Sequence, residues 1–128
     1  MIFGVGTDIV AVARMRGIQE RHGERIAERI LAPGERAAFQ QSASPANFLA
    51  KRFAAKEAFA KALGTGFTDG LGLTQIAVGH DERGRPEFRL TGRAAAMLEE
   101  RGIGQSHLSI ADEQEYAVAF VTLVKGGG

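Results

Sequence analysis

The chain has 128 residues, a net charge of +1, 45% hydrophobic and 24% charged residues, and no cysteine. This composition predicts one folded domain and argues against a general affinity for nucleic acid. The lack of cysteine excludes disulfides, zinc thiolate sites and a cysteine nucleophile. With neither an apolar run long enough to span a membrane nor a signal peptide, the protein is expected in the cytoplasm.

The first predicted elements are a strand and a long helix. Residues 2–5 predict a short buried strand, and a helix follows from about residue 9 or 12 to residue 31. Pro33 and Gly34 predict its end, and residues 35–41 predict a short helix. Asp8 lies between the strand and the long helix, where it can be a helix cap or a metal ligand.

The long first helix carries a basic stripe opposite its apolar side. The stripe consists of Arg14, Arg21 and Arg25. Such a stripe is often only a solvated face, and nearby glutamates partly balance it. An acidic partner helix would also be attracted to it, and the sequence leaves both interpretations open.

A second, central helix is the most informative segment. Ser44 can cap it, Pro45 suits its first turn, and Gly64 ends it. Arg52 and Lys56 project towards its apolar side, where a charge is costly unless an anion meets it. The predicted core residues of this helix are Phe48, Leu49, Phe53, Phe59 and Leu63.

Another face of the central helix predicts a binding surface. Glu57 and Lys61 follow small residues on this face, and the helix ends in Gly64, Thr65 and Gly66. A carboxylate, an amine and a glycine-rich turn suit a metal and a phosphate, because the turn can offer backbone N–H groups to an anion. Glu57 and Lys61 are also spaced as an ordinary surface ion pair, which is the simpler alternative.

The remaining elements are mainly strands. Residues 73–79 and 86–90 predict a hairpin, Thr91 can cap a helix over residues 93–101, and residues 107–110 and 116–124 predict two more strands. The expected fold is α+β with an antiparallel sheet, in a single domain over residues 1–125 followed by a flexible tail over residues 126–128.

Two motifs together resemble one enzyme family. The opening residues 3–10, Phe-Gly-Val-Gly-Thr-Asp-Ile-Val, and the block over residues 48–66, centred on Arg-Phe-Ala-Ala-Lys-Glu-Ala, are similar to the holo-[acyl-carrier-protein] synthases, the small bacterial-type 4'-phosphopantetheinyl transferases. The resemblance extends over almost the whole chain. It departs at Ala111 and Asp112, where many members have Ser or Thr followed by His, so a coenzyme contact made there by that histidine is not carried over.

The resemblance implies a function and a site. The family transfers the 4'-phosphopantetheine group of coenzyme A to a serine of apo acyl carrier protein in fatty acid biosynthesis, requires Mg²⁺, and forms homotrimers with active sites between subunits. Matching residues imply Asp8 and Glu57 as metal ligands, and either Glu57 or a metal-bound water as the base. The same matching implies a catalytic Lys61 at the pyrophosphate, a carrier protein bound by Arg14, Arg21 and Arg25, and coenzyme contacts from Arg52, Lys56, Lys61, Gly64, Thr65 and Gly66.

Two other classes of function remain as alternatives. A non-catalytic module could use the basic helix to dock an acidic protein, but it would not need Asp8, Glu57 and Lys61. A nucleic-acid binder could use the same stripe, but the net charge of +1, the single tyrosine and the absence of tryptophan disfavour it.

Overall fold

The computed structural model describes residues 1–126, which form an α+β fold. The α-helices of this part are α1 Val12–His22, α2 Glu24–Ile30, α3 Arg36–Gln40, α4 Pro45–Leu63 and α5 Gly92–Glu100. The strands are β1 Ile2–Ala11, β2 Ile76–His80, β3 Pro86–Leu90, β4 Ile103–Asp112 and β5 Tyr116–Lys125. Two short 3-10 turns, Pro33–Glu35 and Leu73–Gln75, precede α3 and β2. The predicted α+β class with antiparallel pairing is confirmed.

The strands form two antiparallel sheets. One sheet has the order β1-β5-β4, and the other is the predicted hairpin of β2 and β3. In the larger sheet, β1 pairs with β5 from Ile2 opposite Val124 to Ala11 opposite Tyr116. The first strand and a strand near the end of the described chain are therefore neighbours, which the sequence pattern alone did not reveal.

Helix α4 is the centre of the core. Its bounds agree with the prediction, and Gly64 ends it in the left-handed conformation with φ of 84°. Leu49, Phe59 and Leu63 are buried as expected, whereas the aromatic rings of Phe48 and Phe53 are only partly buried. The helix lies against the larger sheet, so residues of α4 and β1 face each other.

Alternation along β1 divides its side chains between two environments. Gly6, Asp8 and Val10 share the side that meets α4, and Gly6 and Val10 are buried there. Val5 and Ile9 point to the other side, where they are 53% and 64% exposed. The outward side chains of β5 continue this surface, which we call the outer apolar face and define as Val5, Ile9, Tyr116, Val118 and Phe120.

Several predicted boundaries near the N-terminus are wrong. Strand β1 is long and largely unburied rather than short and buried, so Asp8 lies inside it, opposite Ala119, and is not a helix cap. The expected single first helix is two helices, because Gly23 adopts a φ of 57° between α1 and α2. Thr7 and Asp8 are polar and show no strand pattern, but they are extended because they pair with β5.

Two predicted caps also differ from the structure, and one residue of the predicted tail makes a backbone contact. The side chains of Ser44 and Thr91 make no capping hydrogen bond to α4 and α5. The amide N–H of Gly126 donates to the carbonyl oxygen of Gly102 at 2.7 Å. Residues 127 and 128 of the expected tail lie outside the described residues.

Candidate active site on helix α4

Asp8 of β1 and Lys61 of α4 meet where the strand crosses the helix. The Nζ atom of Lys61 donates to Oδ1 of Asp8 at 2.9 Å and to the carbonyl oxygen of Thr7 at 3.1 Å. The Lys61 side chain is 53% exposed and that of Asp8 only 18%. The Asp8 carboxylate is therefore partly buried, whereas the Lys61 amine is open to solvent.

Glu57 belongs to the same cluster. Burial raises the pKa of its carboxyl group, the negative charge of Asp8 raises it further, and the cations Lys61 and Arg14 lower it. The pKa of Glu57 is raised overall, because desolvation and the repulsion between two nearby carboxylates outweigh the attraction of the two cations. We call Asp8, Glu57 and Lys61 the surface cluster.

Glycines in β1 bring the surface cluster together. A Cβ atom at Gly6 would lie 2.0 Å from the carbonyl oxygen of Ala58 and 2.6 Å from the amide nitrogen of Ala62, and one at Gly4 would lie 2.1 Å from the Ala62 oxygen. Only glycine permits this approach of the strand to the helix backbone. The glycines of the opening motif over residues 3–10 therefore set the distance from Asp8 to α4.

The donor atoms of the surface cluster fit a hard divalent cation. Two carboxylates and the Thr7 carbonyl offer oxygen ligands, and the Lys61 ammonium shows that a cation is already favoured beside Asp8. Within residues 1–126 no group of three or more His, Cys, Asp or Glu side chains could hold a metal. A pair of carboxylates agrees with Mg²⁺, which commonly takes one or two from the protein and completes its shell with water and phosphate oxygens.

A second group of charges on α4 is buried. The Nζ atom of Lys56 is fully enclosed and contacts Oε1 of Glu35 at 2.6 Å and the carbonyl oxygen of Ile30. The other carboxylate oxygen, Oε2, accepts the amide N–H of Val78 and lies 3.3 Å from Nε of Arg52. We call Glu35, Arg52 and Lys56 the buried cluster.

The buried cluster supplies the anion that Arg52 and Lys56 were expected to need. That anion is Glu35 of the same chain. Burial lowers the pKa of Lys56, while the Glu35 carboxylate acts in the opposite direction. Because Lys56 has no exposed surface, a direct contact with a coenzyme does not fit its position.

Arg52 is placed differently, at the edge of a basic cavity. Its guanidinium carbon lies 4.5 Å from the centroid of the Phe48 ring, and its side chain is 10% exposed. The cavity has a volume of about 310 Å³, at the small end of the range for ligand pockets. Its lining residues are Phe48, Lys51, Arg52, His80, Gly84, Pro86, Ile110 and Asp112.

Positive charge dominates this cavity. Burial lowers the pKa of His80, and the charges of Arg52, Lys51 and Arg89 lower it further. The part of this shift that comes from the three cations reflects a positive potential, which favours an anion. Asp112 is the only carboxylate among the lining residues and reduces this positive potential.

The glycine-rich turn after α4 differs from the expected anion nest. The amide N–H groups of Gly64 and Gly66 both donate to the carbonyl oxygen of Ala60, at 3.1 and 3.4 Å. These two groups satisfy the end of the helix, so they are not free to bind an anion. Thr65 is partly buried, and its hydroxyl donates to the carbonyl oxygen of Gly66.

The basic stripe is divided between two helices. Arg14 and Arg21 are exposed on α1, and Arg25 is exposed on α2 beyond the break at Gly23. Arg14 is also close enough to Glu57 to lower the pKa of that carboxyl group. The stripe therefore begins beside the surface cluster and leads away from it.

The sequence reasoning missed Glu35, Lys51 and His80. The need of Arg52 and Lys56 for an anion signalled that a buried carboxylate must exist, but no pattern identified Glu35 behind Pro33 and Gly34. Lys51 and His80 come from α4 and β2, and only the tertiary structure shows that they line one cavity.

Within the described chain, no helix combines the length and the apolar character needed to cross a membrane.

Comparisons with known proteins match nearly the whole chain. The family model of the 4'-phosphopantetheinyl transferase superfamily matches residues 4–121. A holo-[acyl-carrier-protein] synthase of Halorhodospira halophila is 56% identical over 126 residues, which cover 98% of this chain and 100% of that protein. The crystal structure of the Neisseria meningitidis holo-[acyl-carrier-protein] synthase superposes with a TM-score of 0.92 at 48% identity, covering 98% of this chain and 100% of that one.

A third similar protein was solved with a ligand. The Bacillus anthracis holo-(acyl-carrier-protein) synthase, described as a complex with CoA (3',5'-ADP), has a TM-score of 0.82 at 34% identity, over 98% of this chain and 99% of that one. The fold, the surface cluster and these matches define a phosphopantetheinyl transferase. Within that superfamily the chain belongs to the holo-[acyl-carrier-protein] synthases, and the predicted resemblance and enzyme class are confirmed.

Proposed function

We propose that this enzyme transfers the 4'-phosphopantetheine group of coenzyme A to a serine of apo acyl carrier protein, with Mg²⁺, for fatty acid biosynthesis in the cytoplasm. The products are holo carrier protein and adenosine 3',5'-bisphosphate. The observation that supports the proposal is the surface cluster, where Asp8, Glu57 and Lys61 converge on one face of α4. Similar enzymes bear the corresponding name, and the B. anthracis structure is described as a complex with CoA (3',5'-ADP).

In this proposal each residue of the surface cluster has one task. Asp8 and Glu57 supply oxygen ligands, and Mg²⁺, when bound, neutralises the pyrophosphate and polarises its phosphoryl oxygen. Lys61 stabilises the charge that develops on the departing bisphosphate, a contact that is strong where water is excluded. Either Glu57 or a water takes the proton of the carrier serine. The raised pKa of Glu57 belongs to the metal-free site, and a bound cation would lower it, so a metal-bound Glu57 would be a poor base.

We assign the phosphate-rich end of the coenzyme to basic side chains near α4. Arg52 and the neighbouring cavity residues Lys51 and His80 offer positive charge. The turn of Gly64, Thr65 and Gly66 follows Lys61, and we keep it as a coenzyme contact through its remaining groups, since the N–H groups of Gly64 and Gly66 already bond to Ala60. Lys56 supports this surface only from beneath, through Glu35 and Arg52. The coenzyme assignment therefore keeps all of the predicted residues except Lys56.

A mass measurement tests the reaction directly. The protein is mixed with coenzyme A, Mg²⁺ and an apo acyl carrier protein, and the carrier is weighed by mass spectrometry. We expect a gain of one phosphopantetheine in the wild type and none in Asp8→Asn or Glu57→Gln, with circular dichroism confirming that both variants fold. Normal turnover in either variant would contradict the metal assignment, and a wild type that adds no mass would contradict the enzyme function.

The basic stripe is assigned to the acidic carrier protein. Arg21→Glu should raise KM for the carrier protein, and the effect should shrink with increasing salt because exposed charges are screened. Arg21 is a cleaner choice than Arg14, since Arg14 also acts on Glu57. Arg36→Glu, an exposed change on α3, is the charge-matched control. A KM equal in both variants would remove the stripe from the binding surface.

We also propose the homotrimer of the family, with each site completed by a neighbouring subunit. The outer apolar face supports an assembly, because an antiparallel sheet that faces water normally presents polar residues on that side. Phe120, 48% exposed on this face, is the central residue to change. Phe120→Glu should give a monomer in sedimentation velocity, whereas Ala37→Glu, exposed on α3, should leave the trimer intact.

A further inference from the structure

The position of Lys61 has a consequence for the order in which ligands bind. Its ammonium group donates to Oδ1 of Asp8 at 2.9 Å and to the Thr7 carbonyl at 3.1 Å. It also lowers the pKa of Glu57, which Asp8 raises. The amine therefore stands among the oxygen atoms that the proposed function assigns to a divalent cation.

A divalent cation and the Lys61 ammonium group compete for this position. The ammonium group takes one lone pair of Asp8 Oδ1 and one of the Thr7 carbonyl oxygen, and Mg²⁺ needs its ligands at about 2.0–2.1 Å. The positive charges of the two cations also repel each other. Binding of a metal at Asp8 is thus coupled to departure of the amine.

The amine is able to leave. Lys61 lies in the last turn of α4, its side chain is half exposed, and a lysine stem is flexible. An exposed ion pair contributes little to stability, so breaking it costs little. Lys56 on the same helix is the opposite case, because its amine is enclosed and cannot move without exposing Glu35.

We propose that Lys61 occupies the cation position of Asp8 and Thr7 in the metal-free enzyme, and that binding of a divalent cation displaces it towards the coenzyme phosphates. The amine is then free for an anion only after the metal is present. This inference rests on the proposed function and deepens it, because it makes metal binding and phosphate recognition two consequences of one side-chain movement. Reciprocity requires that the coenzyme also strengthens metal binding.

Binding of Mn²⁺ alone tests the competition without any reaction. Free Mn²⁺ is counted by electron paramagnetic resonance while the wild type, Lys61→Met and Arg14→Met are titrated. We expect Lys61→Met to bind Mn²⁺ roughly 2–5-fold more tightly than the wild type, the ratio that corresponds to releasing an exposed ion pair. Arg14→Met is the matched control, since it also removes a positive charge near Glu57 but has no hydrogen bond to Asp8.

The outcomes separate this inference from the proposed function. If Asp8→Asn weakens Mn²⁺ binding and Lys61→Met gives no gain beyond that of Arg14→Met, the competition is refuted and the metal assignment stands. If Asp8→Asn binds Mn²⁺ like the wild type, both the competition and the metal assignment are refuted.

A second measurement follows the Lys61 side chain by ¹³C NMR at its ε carbon. Its signal should sharpen when Mg²⁺ is added, and an unchanged signal at saturation would overturn the displacement.

Discussion

Helix α4 takes part in two clusters of acidic and basic side chains that differ in burial and in charge. The buried cluster has one carboxylate and two cations, and the surface cluster has two carboxylates and one cation. In the buried cluster, Lys56 meets Glu35 at 2.6 Å with side-chain exposures of 0% and 2%. In the surface cluster, Lys61 meets Asp8 at 2.9 Å with exposures of 53% and 18%. Both lysines lie on the same helix, each within one turn of another charged residue of its cluster.

The difference shows which feature separates a buried ion pair of the core from the one in the proposed active site. Both Glu35 oxygens are used inside the fold, by Lys56 and two backbone N–H groups, with Arg52 beside them. In the surface cluster Glu57 remains in an environment that raises its pKa, and Asp8 holds only a movable amine. The surface cluster differs from the buried cluster because its oxygen atoms can still bind another ligand, and not because its contacts are short.

The largest expected effect comes from the same substitution in both clusters. Lys56→Met leaves the buried Glu35 carboxylate without its main partner, so the free energy of unfolding should fall by about 3–5 kcal/mol. Lys61→Met breaks an exposed pair and should change it by less than about 1 kcal/mol. Urea unfolding of the two variants measures the contrast.

A double variant sharpens this test. Glu35→Gln combined with Lys56→Met removes the buried carboxylate and amine, and leaves Arg52, whose side chain is 10% exposed, as the remaining charge. The glutamine oxygen still accepts one backbone N–H, so part of the lost stability should return. Equal losses for Lys56→Met and Lys61→Met would contradict the distinction between the clusters. A double variant less stable than Lys56→Met would show that shape rather than charge dominates at this position.

The second prediction concerns the close approach of β1 to α4, which brings the surface cluster together. Gly6→Ala places a Cβ against the backbone of Ala58 and Ala62, so β1 must move away from α4 at a cost of about 1–3 kcal/mol. The movement should also separate Asp8 from Lys61 and abolish transfer. Gly17→Ala is the matched control, because its Cβ meets only Arg21 at 3.8 Å and the change should stabilise α1 by about 0.5–1 kcal/mol. Unfolding curves that move in the same direction for both would disprove the argument.

The smallest expected effect concerns Glu57. Because its folded-state pKa is raised, its contribution to stability is present at low pH and is lost as the pH rises through that pKa. Glu57→Gln should therefore be slightly more stable than the wild type at neutral pH, and the difference should vanish below the ordinary pKa of glutamate. Thermal unfolding in metal-free buffer at several pH values measures it. A difference that does not depend on pH would refute the electrostatic origin.

The sequence predicted best where one local signal decides the structure. Pro45 and Gly64 bound α4 as expected, and the turn around Gly84 lies in the predicted hairpin of β2 and β3. The strand β1 was predicted too short because Thr7 and Asp8 do not look like strand residues. Their extended conformation depends on pairing with Phe120 and Ala119, which are more than 100 residues away.

The candidate site shows the same limit. Asp8, Glu57 and Lys61 were selected from motif and residue type, and the structure brings them together through Gly4 and Gly6, whose role no periodicity reveals. The helical face of Lys56 predicted a charge in need of an anion but not the source of that anion. Glu35 supplies it from 21 residues earlier, across a helix break.

Strand β1 ties catalysis and assembly to a single choice of register. Asp8 and Ile9 are neighbours in the chain and project to opposite sides of the sheet. A slip of one residue against β5 would exchange them, burying isoleucine against α4 and turning the carboxylate towards the outer apolar face. In the proposed mechanism and trimer, misregistered molecules would therefore lose a metal ligand and the apolar contact surface at once, and would remain as inactive monomers.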